Sequence, residues 1–205
     1  MGGAEPVRLE PHEMALLRGG PRAAVTVAVV GLYLRGAAQA GRTGTIRALE
    51  AVTDSEESPP ALPPLEGAVY ASLQKPCGLR ELVRRSEIRL AVALMRIPLA
   101  KAGLLRYPLL GPTRGARRHV RDLQEQHPLP RSRRGLTDHD KLVAVALHGE
   151  AALPVLVPRF ALRAGLIPRA DVADKGMLRH SSRGGGGGSS GRGYSCGASC
   201  GSGSY

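Results

Sequence analysis

The chain is expected to be mainly α-helical, with short helices and small β-hairpins, two tandem winged-helix-like modules, and a disordered C-terminal tail. Three observations predict this. Aliphatic residues recur every three to four positions between Gly and Pro breaks, the period of a helix face. Aromatic residues are scarce, with one Phe, five Tyr and no Trp, so the core must come from Ala, Val, Leu and Ile, whose small side chains suit close helix packing. The last stretch, SSRGGGGGSSGRGYSCGASCGSGSY (residues 181–205), cannot bury enough apolar surface to offset chain entropy.

The elements follow in order. Residues 9–18 read as a short first helix. Gly19 and Gly20 supply a left-handed stop, and Pro21 suits the first turn of the next helix because its missing N–H had no partner there. Over residues 22–35, Val25, Ala28, Val29, Leu32 and Tyr33 repeat at helical spacing. Val27, Val30 and Leu34 widen that face, so this helix is expected to be central. Residues 37–49 form a hairpin around the Gly41–Gly44 turn. Residues 54–64, DSEESPPALPP, are an acidic, proline-rich linker that separates a first module (1–53) from a basic helical region (65–180).

In the second region residues 65–73 are helical, Pro76, Cys77 and Gly78 break the chain, and residues 79–85 form a short helix. A longer helix spans 88–102 with Ile88, Ala91, Val92, Met95 and Leu99 on one face, and Pro98 is expected to bend it or end it early. An extended segment leaves at Ala102–Tyr107. Residues 108–135 read as exposed connection with a helical turn near 117–125. Asp138 or Thr137 caps a helix to about residue 152, Pro154 and Pro158 interrupt it, and a short helix ends at residues 163–167. Arg35-Gly36-Ala37, Lys101-Ala-Gly-Leu-Leu105 and Arg163-Ala-Gly-Leu-Ile167 each end an apolar helix, a faint internal repeat.

Formal charge is +12, unevenly placed: residues 1–66 carry 6 basic and 8 acidic side chains, whereas 75–134 carry 15 basic and 4 acidic. Such a field draws phosphate backbones and anionic headgroups over a Debye length, about 10 Å at 0.1 M salt. The order short helix, tight turn, longer helix, extended exit across residues 79–107 is that of a winged helix-turn-helix. It makes Arg80, Arg84, Arg85, Arg89 and Arg96 the candidate anion-binding residues.

Other motifs fail on spacing. His12-Glu13 opens a zinc-protease pattern, but Leu16 stands where the second His is needed. Nine residues at about 100° each put His139 and His148 on opposite faces of a helix, so with Asp138 they make no metal site. The run Gly184–Gly188 has neither a strand before it nor a helix after, and Gly41-Arg-Thr-Gly-Thr45 lacks the Gly-Lys-Ser/Thr ending of a phosphate loop. Three cysteines, Cys77, Cys196 and Cys200, are no disulfide framework. The last two are tail thiols, and Cys77 is expected to be structural. No catalytic constellation and no cofactor is implied.

Leu9-x-Pro11-x-Glu13-x-Ala15-x-Leu17-Arg-Gly-Gly-Pro-Arg22-x-Ala24-Val25 resembles the opening of an uncharacterised actinobacterial family. In that family an N-terminal helical domain precedes a low-complexity Gly/Cys-rich tail. Pro64-Leu65-Glu66-x-Ala68-Val69, the Ala102-Gly-Leu-Leu105 exit and the tail resemble its later landmarks. The resemblance implies no activity and transfers no functional residue, but many relatives carry membrane-spanning segments, so membrane association is implied by analogy. This chain shows no signal peptide, and its longest apolar stretch, residues 23–34, falls short of the roughly 20 residues a spanning helix needs. A cytoplasmic location is the expectation. The expected function is non-enzymatic binding of an anionic partner, nucleic acid first. The alternatives are a membrane-surface protein and a precursor whose Gly/Cys tail is modified.

Overall fold

Gly20 decides the shape of the first helix. The computed structural model describes residues 9–42, 44–49, 62–106 and 111–167, and its first element is α1 (Pro11–Leu34). Pro11 sits in the first turn, and the Glu10 N–H donates to Glu13 Oε2 at 2.9 Å in a capping box. At Gly20 the backbone turns to φ 72° and ψ −164°, outside the helical region, and Pro21 opens a second segment. His12 in the first segment and Gly31 in the second both abut the Glu66 carboxylate, so the two segments fold back on each other. Taken whole, α1 is long and apolar enough to cross a membrane, the one such helix among the described residues and longer than the stretch read from the sequence. The break at Gly20 divides it, and more than half of its apolar stretch is buried inside the protein.

A hairpin follows, β1 (Ala38–Ala40) with β2 (Ile46–Ala48), antiparallel and in the register Ala38 to Ala48, Gln39 to Arg47, Ala40 to Ile46. Next come α2 (Pro64–Ser72), α3 (Leu79–Leu82) and α4 (Ser86–Lys101). Pro98 neither bends α4 early nor ends it. It lies in the last turn with an exposed ring, where its missing N–H costs one bond, and Ala102 N–H closes onto the Pro98 carbonyl at 2.9 Å. A second hairpin pairs β3 (Leu105–Arg106) with β4 (Gly111–Pro112). Within the supposed exposed connection stands a full helix, α5 (Arg114–Gln126). Ala116 N–H caps it on Thr113 Oγ1 at 3.2 Å. Only Ala116 and Val120 of α5 are buried, so its thin apolar stripe beside so many arginines showed as a helical turn near 117–125 and not as a full helix.

Thr137 rather than Asp138 caps α6 (Asp138–His148), again in a capping box, with Asp140. The helix ends short of residue 152 because Gly149 adopts φ 59°. A 3-10 turn (Gly149–Ala151), α7 (Leu153–Leu156) and α8 (Pro158–Arg163) complete the described chain. Most of the linker at 54–64, Tyr107 at the end of the 102–107 exit, and the whole Gly/Ser/Cys tail lie outside the described residues.

The faint repeat of the sequence is a repeated helix exit. Gly36, Gly103 and Gly165 have φ of 72°, 70° and 67°. After each, the following N–H reaches back five residues: Ala37 to Leu32, Leu104 to Leu99, Leu166 to Ala161, all within 2.8–2.9 Å. This 6→1 bond with a left-handed glycine satisfies helix-end carbonyls and reverses the chain. Two of these exits lead into the two hairpins.

One hydrophobic core runs from Leu9 to Ile167, with α1 packed against α2, α4, α5 and α6. Residues before and after the linker share it. Ile46 of the first hairpin forms an antiparallel bridge with Cys77 in the α2–α3 connection, through bonds of 2.9 and 3.1 Å. That connection therefore pairs with β1–β2 and not with the β3–β4 hairpin that follows α4. Tyr33 stacks on Phe160 with ring centroids 4.0 Å apart, which ties α1 to α8.

Glu66, the one carboxylate in this core among the described residues, is fully buried. Its Oε2 pairs with the Arg35 guanidinium, and Oε1 lies 3.1 Å from His12 Nε2. It fits because Gly31 has no side chain: a Cβ there would overlap Oε1. Gly31→Ala should therefore cost about 1–3 kcal/mol in urea denaturation, although Ala is the better helix former; a neutral or stabilised variant would show that Glu66 can move aside.

Candidate anion-binding groove

Two polar assemblies stand out, and the first is structural. His12, Glu66 and Arg35 join both segments of α1 to α2, but Glu66 is fully enclosed and His12 nearly so, which leaves no room for a ligand. The 3.1 Å contact lacks the alignment of a hydrogen bond, so His12 Nε2 and Glu66 Oε1 have no hydrogen-bond partner among the described residues. Burial, aided by the nearby Arg35 charge, pulls the His12 pKa down from 6.5 to about 4. A neutral imidazole in the core must be protonated on unfolding at mildly acid pH, since the unfolded state binds the proton first. Stability is thus fully present above pH 6.5 and falls as pH drops from 6.5 toward 4, by up to about 3 kcal/mol from this group. Urea midpoints measured at pH 7 and pH 4.5 for the protein and for His12→Phe check this, the variant being expected to lose much of the decline.

The second assembly is the cationic cluster of α3 and α4. Arg84, Arg89 and Arg96 line one open cavity of about 690 Å³ between these helices and the start of the second segment of α1. Pro21, Val25, Val83, Ile88 and Val92 give it apolar walls. The walls exist because α4 turns Ile88, Ala91, Val92 and Leu99 to the core, which leaves Arg89 and Arg96 together along the flank of that face. Arg84 and Arg89 are exposed. The Arg96 Nε is buried and has no hydrogen-bond partner among the described residues. No carboxylate among them pairs with any of the three. A buried donor without an acceptor costs about 1–3 kcal/mol, a cost that an anion in the cavity would remove.

The remaining candidates from the sequence divide. Arg80 is exposed but does not line this cavity. Arg85 is engaged internally: one guanidinium nitrogen donates to the Ser72 carbonyl at the end of α2, and the other pairs with Glu81 at 3.0 Å. It holds α2 to the α3–α4 turn and drops out as an anion contact. Its charge is held upward in pKa chiefly by that Glu81 bond. Cys196 and Cys200 lie outside the described residues. Cys77 is buried, and burial pushes its thiol pKa up, so the thiolate is disfavoured.

Sequence reasoning missed a second cationic cavity of about 590 Å³, where Arg133, Arg134, Lys141 and Arg159 surround Tyr33 and Leu34. The Arg-Ser-Arg-Arg run at 131–134 was the available signal, but only folding brings Arg159 from α8 beside it. It also missed the outer face of α5, which exposes Arg114, Arg117, Arg118 and Arg121. Asp138 pairs with Lys141 at 2.8 Å, and His148 Nε2 lies 2.7 Å from the His127 carbonyl. Among the described residues no three His, Cys, Asp or Glu side chains stand close enough to hold a metal ion.

No protein-family model, no curated protein and no solved structure matches this chain.

The division of labour among the arginines is measurable. Arg85→Ala should lose about 1–2 kcal/mol in thermal or urea unfolding, because the Ser72 carbonyl and Glu81 lose their donor. Arg84→Ala and Arg89→Ala should stay within about 0.5 kcal/mol of the parent. Equal losses at all three would mean that the exposed arginines are structural too.

Proposed function

We propose that this is a non-enzymatic binding protein for an anionic polymer, nucleic acid first, and that the α3–α4 groove is its principal contact. The observation that carries the reading is the convergence of Arg84, Arg89 and Arg96, none of them ion-paired among the described residues, on one open cavity. The order α2, α3, α4, β3–β4 hairpin supports a winged-helix-like reading, in which α4 is the helix presented to the partner and the hairpin, with Arg106, is the wing, while the Cys77 bridge belongs to the first hairpin. Guanidinium groups suit phosphate oxygens because they donate in a planar fork.

Binding of labelled duplex DNA to the full chain, followed by fluorescence anisotropy across a salt series, tests this. Affinity should fall steeply with salt. The triple variant Arg84→Ala, Arg89→Ala, Arg96→Ala should lose at least about tenfold and lower the salt slope by roughly 2 to 3. A parent protein that leaves DNA free at about 50 mM salt removes the nucleic-acid reading.

The second reading is an anionic membrane surface, supported by three exposed aliphatic side chains on α4, Leu90, Leu94 and Ile97, beside the cations. Flotation with anionic vesicles, and none with neutral ones, would favour it if DNA fails.

A further inference from the structure

The outer face of α4 carries the most exposed of the large aliphatic side chains among the described residues. Leu90, Leu94 and Ile97 are 61 %, 54 % and 50 % exposed. At about 100° per residue they fall within roughly 60° of one another, a narrow apolar stripe on the side of α4 turned away from its buried Ile88, Val92 and Leu99, with Leu90 also at the edge of the arginine cavity. A contiguous exposed apolar stripe of this kind marks an interaction face.

The charges on the same face point to which one. Glu87 lies seven residues before Leu94, and Lys101 lies seven after it, so all three fall along one line of the helix. Leu90 and Ile97 are likewise seven apart and form the adjacent line. Both lines have their midpoints at or within one residue of Leu94. The face is therefore its own complement when reversed. We infer that α4 pairs with α4 of a second copy of this chain, antiparallel, about a two-fold axis near Leu94.

In that pairing Leu94 packs on its own copy and Leu90 on Ile97 of the second copy. Glu87 meets Lys101 of the second copy at each end of the contact. Glu87 and Lys101 are both exposed, and neither is ion-paired among the described residues. A backbone N–H bonded to the Glu87 carboxylate, and then Ser86 Oγ donating to Oε1 at 2.9 Å, favour the ionised form that the pairing needs. Arg89 and Arg96 lie beyond the Leu90–Ile97 line on that same flank, about 140° to 160° round the helix from Leu94, and so stay outside the contact. The contact is one helix face, less than the roughly 800 Å² per partner of a standard stable interface, so the dimer is weak and reversible, with Kd on the order of 10–100 µM. The two-fold axis sets both arginine grooves on one side of the dimer, where a single polyanion could span them.

A second copy fits this face better than a lipid surface does. A bilayer would reward the aliphatic stripe and the cations but gains nothing from Glu87 placed in register with Lys101.

Sedimentation velocity of the full chain from about 5 to 500 µM is the test, with circular dichroism to confirm that each variant keeps its helix content. The average mass should climb from that of one chain toward two. Leu94→Glu should stay at the mass of one chain. Glu87→Lys and Lys101→Glu should each weaken association about 3- to 10-fold, and the double swap should restore it to within about twofold, since each dimer holds two such pairs. A folded parent that remains monomeric throughout overturns the inference, and so does a double swap weaker than either single change. Leu94-dependent flotation with vesicles by a monomeric parent would assign the stripe to a membrane instead.

Discussion

A single buried carboxylate organises the molecule. Glu66 on α2 enters the core against Gly31 of α1, where no side chain stands in its way, and it brings with it the requirement for a counter-charge. Arg35, one turn beyond Gly31, supplies that charge from a half-exposed position. His12 closes the third side, and it can do so only because Gly20 folds the first segment of α1 back along the second. A buried ion pair contributes little net stability against a well-packed apolar alternative, because desolvation offsets attraction. Its effect is on arrangement: any packing that separates α1 from α2 leaves a charge stranded in a low-dielectric interior. With a core of Ala, Val and Leu, whose shapes are easily interchanged, such a constraint selects one arrangement among many of similar apolar burial.

From that anchor the rest of the architecture follows by short reversals. Three left-handed glycines end three helices in the same way, and the first hairpin returns to pair with Cys77 between α2 and α3. The pairing interleaves the halves of the chain. Arg85 then holds the end of α2 against the α3–α4 turn, and this fixes how α4 lies: one face on α1 and α2, the opposite face outward.

The arginines divide accordingly. Arg18, Arg35 and Arg85 are spent on carbonyls and carboxylates of the fold itself; Arg18 Nε donates to the Ala146 carbonyl at 2.7 Å and so links α1 to α6. Arg84, Arg89 and Arg96, and the four arginines of the α5 face, make no such bonds among the described residues beyond the helix backbone. The positive charge of the second half is thus a surface property, directed outward by helices whose apolar stripes are narrow. That separation between cations that build and cations left over gives the proposed groove its chemistry.

Local order was legible in the sequence because local forces set it. The Gly20–Pro21 break, the hairpin at Gly41–Gly44, the Thr137 cap among its two candidates and the glycine exits all follow from backbone sterics and hydrogen bonding within a few residues. Where local signals were thin, the reading slipped. The α5 helix hides behind its arginines, with only Ala116 and Val120 inward, and Pro98 sits so near the end of α4 that it costs one bond instead of a kink. What the chain order could not contain is which cations are consumed. Arg85 and Arg89 look alike four residues apart, yet one is bonded to a carbonyl thirteen residues earlier and the other lines an open groove. The same holds for Glu66, an ordinary helix glutamate until Gly31, Arg35 and His12 close around it. Helices, turns and the sign of the charge come from neighbours along the chain; partners and burial come from contacts between residues far apart in it, and those exist only once the core has formed.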